Sequence, residues 1–161
     1  MNELGIFSTK TELIDGVILE KMSKSPLHTY ISHFLHDFFV KHLPEGYLVR
    51  KEEPLTLAYS EPEPDISIVK GGFTDFKTAH PNYAELVIEV AVSSLETDRA
   101  KSNVYALAEI PEYWVVIPTK QQVEVYTMPD NGQYKVVQVY RKNEKIKTMG
   151  DLVLALGDVF E

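Results

Sequence analysis

Leu27, Tyr30, Ile31, Phe34, Leu35, Phe38 and Phe39 recur at three- and four-residue spacing, a period that predicts an amphipathic helix. Ser25-Pro26 supplies an N-cap and a proline at the first helical position, and Pro44 with Gly46 stops the helix near His42. Before it, Glu12-Leu13-Ile14 and Val17-Ile18-Leu19 flank Asp15-Gly16, a strong hairpin signal. After it, residues 47–57 and 66–69 read as strands separated by Glu61-Pro62-Glu63-Pro64, and Gly71-Gly72 breaks the chain. Residues 84–92 are apolar apart from Glu85 and Glu89, as expected of a strand covered on both faces. Residues 95–108 read as a second helix and 112–117 as another buried strand. Residues 123–127 and 134–140 flank Asp130-Asn131-Gly132, a hairpin with a longer loop. Hairpin, helix, meander, helix and closing strands together predict an α/β fold: a mixed β-sheet flanked by two main helices, with a C-terminal β-hairpin.

No repeat, low-complexity tract or linker divides the pattern, so one domain over residues 1–161 is expected. Hydrophobic residues at 44% and charged residues at 25% suit a soluble globular chain. No apolar run approaches the roughly 20 residues that span a bilayer, so no membrane partner is expected. Met1-Asn2-Glu3-Leu4-Gly5 lacks the basic and apolar regions of a signal peptide, which makes a cytoplasmic location the expectation. Zero cysteines exclude a disulfide framework and a thiolate metal site.

The net charge of −8 changes the functional picture. A chain that holds nucleic acid by overall charge is basic, so any phosphate contact here must come from a local patch, a metal ion or a basic partner. Arg141, Lys142, Lys145 and Lys147 form the densest positive cluster and read as a solvated hairpin end before a DNA contact.

Glu89 stands in Leu86-Val87-Ile88-Glu89-Val90-Ala91-Val92, where an ionised carboxylate is costly unless paired or metal-bound; the bland alternative is a frayed strand end. Ala91 shares its face and leaves small volume beside it. Asp65 follows Pro64 at the mouth of a strand, either pointing into a cleft or simply forming a turn. Lys101 stands at the edge of a helical stripe with Tyr105 and Ala108, where a lysine otherwise snorkels to water. His28 lies on the apolar face of the first helix, more in keeping with a satisfied core or cap histidine than with a site residue. Carboxylates beside a lysine suit phosphodiester hydrolysis. Mg²⁺, with Mn²⁺ as the alternative ion, prefers carboxylate oxygens and retains several waters, and a cation near the phosphate offsets charge developing in the transition state.

Six ordered segments carry a resemblance. Glu12-Leu13-Ile14-Asp15-Gly16, Ser25-Pro26 with His28, Glu63-Pro64-Asp65, Leu86-Val87-Ile88-Glu89-Val90, Asp98-Arg99-Ala100-Lys101-Ser102-Asn103-Val104-Tyr105-Ala106 and Ile110-Pro111-Glu112-Tyr113-Trp114-Val115-Val116 resemble the Uma2 family. That family, also called DUF820, lies within the PD-(D/E)XK nuclease superfamily. The resemblance implies a restriction-endonuclease-like core, with Asp65 and Glu89 as the paired signature acids and Glu12 as the upstream acid. All three would be metal ligands. The signature lysine, normally two residues after the glutamate where this chain has Ala91, would be displaced onto the following helix as Lys101, with His28 and Tyr105 accessory. Val92 stands where a serine is usual in the family.

Three functions follow. The favoured one is a Mg²⁺-dependent endonuclease acting on DNA. The others are a non-catalytic module of the same fold that binds nucleic acid or a protein partner, and a hydrolase of some other phosphoester. A homodimer is one assembly open to it. A shared fold does not by itself establish cleavage.

Overall fold

The computed structural model describes residues 10–21 and 24–161; Met1 to Gly5, read above for leader features, lie outside them. The chain opens with β1 (Thr11–Ile14) and β2 (Val17–Glu20), an antiparallel hairpin. Its turn, Asp15-Gly16, has positive φ at both residues, as a two-residue type I′ turn requires. α1 (Pro26–His42) begins where the sequence predicts. Ser25 Oγ accepts the His28 N–H at 3.1 Å, and Ile31, Leu35 and Phe39 form its buried stripe.

The central sheet runs β3-β4-β5-β6-β7-β8. Its strands are β3 (Tyr47–Lys51), β4 (Ile66–Lys70), β5 (Leu86–Val90), β6 (Glu112–Ile117), β7 (Gln122–Asp130) and β8 (Gln133–Arg141). All neighbours are antiparallel except β5 and β6. A parallel pair needs a long crossover, and here α2 (Leu95–Ala100) and α3 (Ser102–Leu107) supply it. A second hairpin, β9 (Lys145–Thr148) with β10 (Leu152–Ala155), and the short α4 (Leu156–Val159) close the chain.

Alternation along β5 and β6 divides the core into two layers. Leu86, Ile88, Val90, Trp114 and Val116 face α1, α4 and the β9–β10 hairpin. Val87, Ala91, Tyr113 and Val115 face the α3 side with Tyr105 and Ile110. Every residue of β5 is buried, as expected for a strand covered on both faces.

Three local expectations are corrected. The strand expected over 47–57 ends at Lys51, because Glu52 turns to φ 55° and Leu55 N–H pairs with the Pro62 carbonyl in an irregular loop. The helix expected over 95–108 is interrupted at Lys101, where ψ of −15° departs from α geometry toward a tighter turn. The loop at 130–132 shortens to a two-residue turn, since Asp130 still pairs with Gln133 and only Asn131 and Gly132 have positive φ there. The expected strands over 112–140 do join the central sheet as β6 to β8, and the additional hairpin β9–β10, which the pattern does not reveal, packs Ile146 and Leu154 into the α1 layer.

Candidate active site

Strand register brings the two acids together. Ile66 pairs with Ile88, so one step further Asp65 and Glu89 stand opposite each other, and opposite residues in an antiparallel pair share a face. The ladder gives way there to side-chain bonds. Asp65 N–H donates to Glu89 Oε1 at 3.2 Å, and Val90 N–H donates to Asp65 Oδ2 at 2.7 Å. Each acid is thus fixed by the backbone of the other's strand.

Glu89 lies on the α3 side of β5, and the crossover puts a polar stripe over it. Asp98, Lys101 and Tyr105 follow at three- and four-residue spacing, so they line one helical face. Lys101 Nζ lies 2.5 Å from Glu12 Oε2, 3.3 Å from Glu89 Oε2 and 3.7 Å from Asp98 Oδ1. Tyr105 donates its hydroxyl to Glu89 Oε2 at 3.2 Å. Glu12 reaches in from β1 and accepts the Glu63 N–H at 3.0 Å on its other oxygen. His28 approaches from α1, its Nε2 3.1 Å from Asp65 Oδ2. Since an ionised carboxylate only accepts, Nε2 carries the proton there.

The predicted residues Glu12, Asp65, Glu89, Lys101 and His28 all line one cavity of about 220 Å³. Tyr105 lies behind Glu89 in the packed α3 layer. Glu89 is only 2% exposed and Lys101 5%. The lysine therefore does not snorkel to water, and His28 is not merely a cap. Asp98 is the acid that the sequence reading missed. It is buried, its Oδ2 accepts from Ser94 Oγ at 2.6 Å, and its carbonyl accepts from Tyr113 OH at 2.6 Å. Its signal was the spacing to Lys101, masked by the ordinary preference for acids in a helix's first turn.

Burial sets the electrostatics. It pushes the Glu89 carboxyl well above the usual range, against the pull of Lys101 and with the help of Asp65, Asp98 and Glu12. Burial likewise raises Asp98, to about 6, although Lys101 and Ser94 oppose it. Burial would raise Asp65 too, but the His28 hydrogen bond and charge, the Val90 N–H and Lys21 outweigh it and hold Asp65 below its usual value. For Lys101 burial works against the charge, yet Glu89, Glu12 and Asp98 prevail and hold the ammonium protonated.

Glu12, Glu89 and Asp98 face one buried ammonium, with Asp65 beside Glu89, an excess of negative charge that protons or a cation must offset. The donor chemistry fits a hard divalent ion. Among the described residues no three acidic or imidazole side chains enclose an ion by themselves. Mg²⁺ does not need that, since one or two carboxylates completed by water and substrate oxygens suffice. Asp65 and Glu89 are neighbouring carboxylates, while Lys101 engages both Glu12 and Glu89.

The fold is a six-stranded mixed sheet whose one parallel pair, β5 and β6, is joined through α2 and α3. The chain belongs to the Uma2 family, whose description is "Putative restriction endonuclease" and whose sequence model matches residues 8–156. Among solved structures it is similar to one described as "a putative nuclease belonging to DUF820" from Anabaena variabilis. The TM-score is 0.76 at 18% identity, covering 98% of this chain and 94% of that one; at that identity the likeness shows the fold. No curated protein matches the sequence. Among the described residues no helix is long and apolar enough to cross a membrane.

Proposed function

We propose that the protein is a Mg²⁺-dependent endonuclease of the PD-(D/E)XK type that hydrolyses phosphodiester bonds in DNA. The observation that carries this reading is the reciprocal tie between Asp65 and Glu89, with the Lys101 ammonium buried beside Glu89. Asp65 and Glu89 would hold the ion, which supplies Lewis acidity at the scissile phosphate. Lys101, having no lone pair, is not a ligand. Its fixed charge is aimed at the negative charge that builds on the phosphate in the transition state. Glu12 holds the ammonium, His28 holds Asp65, and Tyr105 holds Glu89, so the reacting groups need little reorganisation.

A second reading, a non-catalytic module that binds nucleic acid or a protein partner, has one observation in its favour. Lys101 already neutralises part of the cluster, as an ion would. Titration calorimetry separates the two. The nuclease reading expects Mg²⁺ binding by wild type that Glu89→Ala abolishes. No Mg²⁺ or Mn²⁺ binding by wild type would favour the module.

A further inference from the structure

The cavity floor is acidic, yet a nuclease must draw a polyanion over it. We propose that Lys21 and Lys24, together with the N-terminal end of α1, seat a backbone phosphate of the nucleic-acid strand beside the one that reacts. This rests on the reading that a nucleic-acid strand occupies the cavity.

Lys21, Lys24 and the N-cap Ser25 line the same cavity as Asp65 and Glu89. Lys24 shares the single carboxylate of Glu52 with Lys10, at 3.8 and 3.3 Å. Lys21 Nζ donates to the Glu63 carbonyl, a neutral acceptor. Among the described residues, Lys21 and Lys24 are therefore the cations that line this cavity besides the buried Lys101, in a chain of net charge −8. α1 is a 17-residue helix with no acid in its first turn, so the positive end of its dipole is not offset from within.

A separate observation marks this wall as built for a ligand. His28, only 8% exposed, lines the cavity one turn into α1, and its Nδ1 has no hydrogen-bond partner. Buried polar atoms without partners are rare in native structures. With Nε2 donating to Asp65, Nδ1 is left as an acceptor for a hydration water of a bound group. The denser cluster at Arg141, Lys142, Lys145 and Lys147 contributes no residue to this cavity.

The test is fluorescence anisotropy of a short fluorescein-labelled DNA duplex, with Ca²⁺ replacing Mg²⁺, across a salt series. Lys21→Ala/Lys24→Ala should make the slope of log affinity against log salt shallower by about 0.9. Lys142→Ala/Lys145→Ala should leave it unchanged, and Lys→Arg at positions 21 and 24 should retain it. In Mg²⁺, plasmid cleavage by Lys24→Ala should show a raised KM and a kcat close to wild type. A wild-type slope in the double variant, or no duplex binding by wild type, overturns the proposal. If wild type cuts DNA and the double variant keeps its slope, the nuclease reading stands and the phosphate seat falls. If binding depends on both lysines but nothing is cut, the seat stands and the nuclease reading falls.

Discussion

The Lys101 ammonium lies 2.5 Å from Glu12 Oε2, so a residue of the first hairpin and one of the crossover helix meet across 89 positions of sequence. The contact ties β1 to the crossover, so Lys101 is expected to support the fold. Breaking a buried ion pair from one side leaves the other charge uncompensated. Lys101→Ala leaves Glu12, Glu89 and Asp98 facing one another. It is expected to lower unfolding free energy at neutral pH by about 3–5 kcal/mol. The loss should shrink on mild acidification, as the acids take up protons. Urea melts at two pH values check this, and a loss below about 1 kcal/mol would show that the ammonium contributes little net stabilisation.

Asp98 gives the site a pH signature in stability. An acid whose folded pKa is raised contributes stability at low pH that is lost as pH climbs through the folded value. Asp98 is raised from 3.8 to about 6. Between those values the unfolded chain releases its proton while the folded chain retains it. The stability difference between wild type and Asp98→Asn should therefore fall by on the order of 2–3 kcal/mol as pH rises from about 4 to 6. Asp65, held below its ordinary value, has the opposite sign and loses its contribution as pH falls. A wild-type minus Asp98→Asn difference that stays flat across the window contradicts the assignment.

His28, through its contact with Asp65 Oδ2, is predicted to orient that acid. Outer partners of metal-binding carboxylates typically tune affinity by about 10–100-fold. His28→Ala removes the hydrogen bond to Asp65 Oδ2 while Val90 N–H still holds that oxygen. Mg²⁺ affinity by calorimetry should drop within that range without being abolished, whereas Asp65→Ala should abolish it. An unchanged affinity in His28→Ala returns the residue to a packing role.

Tyr105→Phe tests the support of Glu89 from behind. The hydroxyl donates to Glu89 Oε2 inside a packed layer, and a buried hydrogen bond contributes roughly 0.5–1.5 kcal/mol. The variant should lose stability of that order and retain the fold. If melts of Tyr105→Phe and wild type coincide, the hydroxyl is not supporting Glu89.

Glu89 is legible in the sequence because an acid inside a continuous apolar strand has few ways to be tolerated, and the structure places it at 2% exposure. Lys101 is legible through its helical spacing to Tyr105. The convergence of Asp65 on Glu89 is a matter of register, set by strand pairing across 24 positions, and no local pattern encodes it. Asp98 hides because an acid in a first helical turn has a sufficient local explanation. The β9–β10 hairpin escapes notice because each strand has four residues and Lys145 to Thr148 alternates charged with apolar or small positions. The helix break at Lys101 has no glycine or proline to announce it, and it coincides with the side chain committed to three carboxylates.

The most direct measurement is cleavage of supercoiled plasmid, in Mg²⁺ and in EDTA, by wild type, Glu89→Ala and Lys101→Ala, each first shown to be folded by circular dichroism. Wild type should nick the plasmid only with the metal. Glu89→Ala should lose both Mg²⁺ binding and cleavage. Lys101→Ala should still bind Mg²⁺ but lose most cleavage, because the missing interaction acts on the transition state. Cleavage that survives EDTA or Glu89→Ala, or a folded wild type that cuts nothing in Mg²⁺ or Mn²⁺, contradicts a metal-dependent nuclease site at Asp65, Glu89 and Lys101.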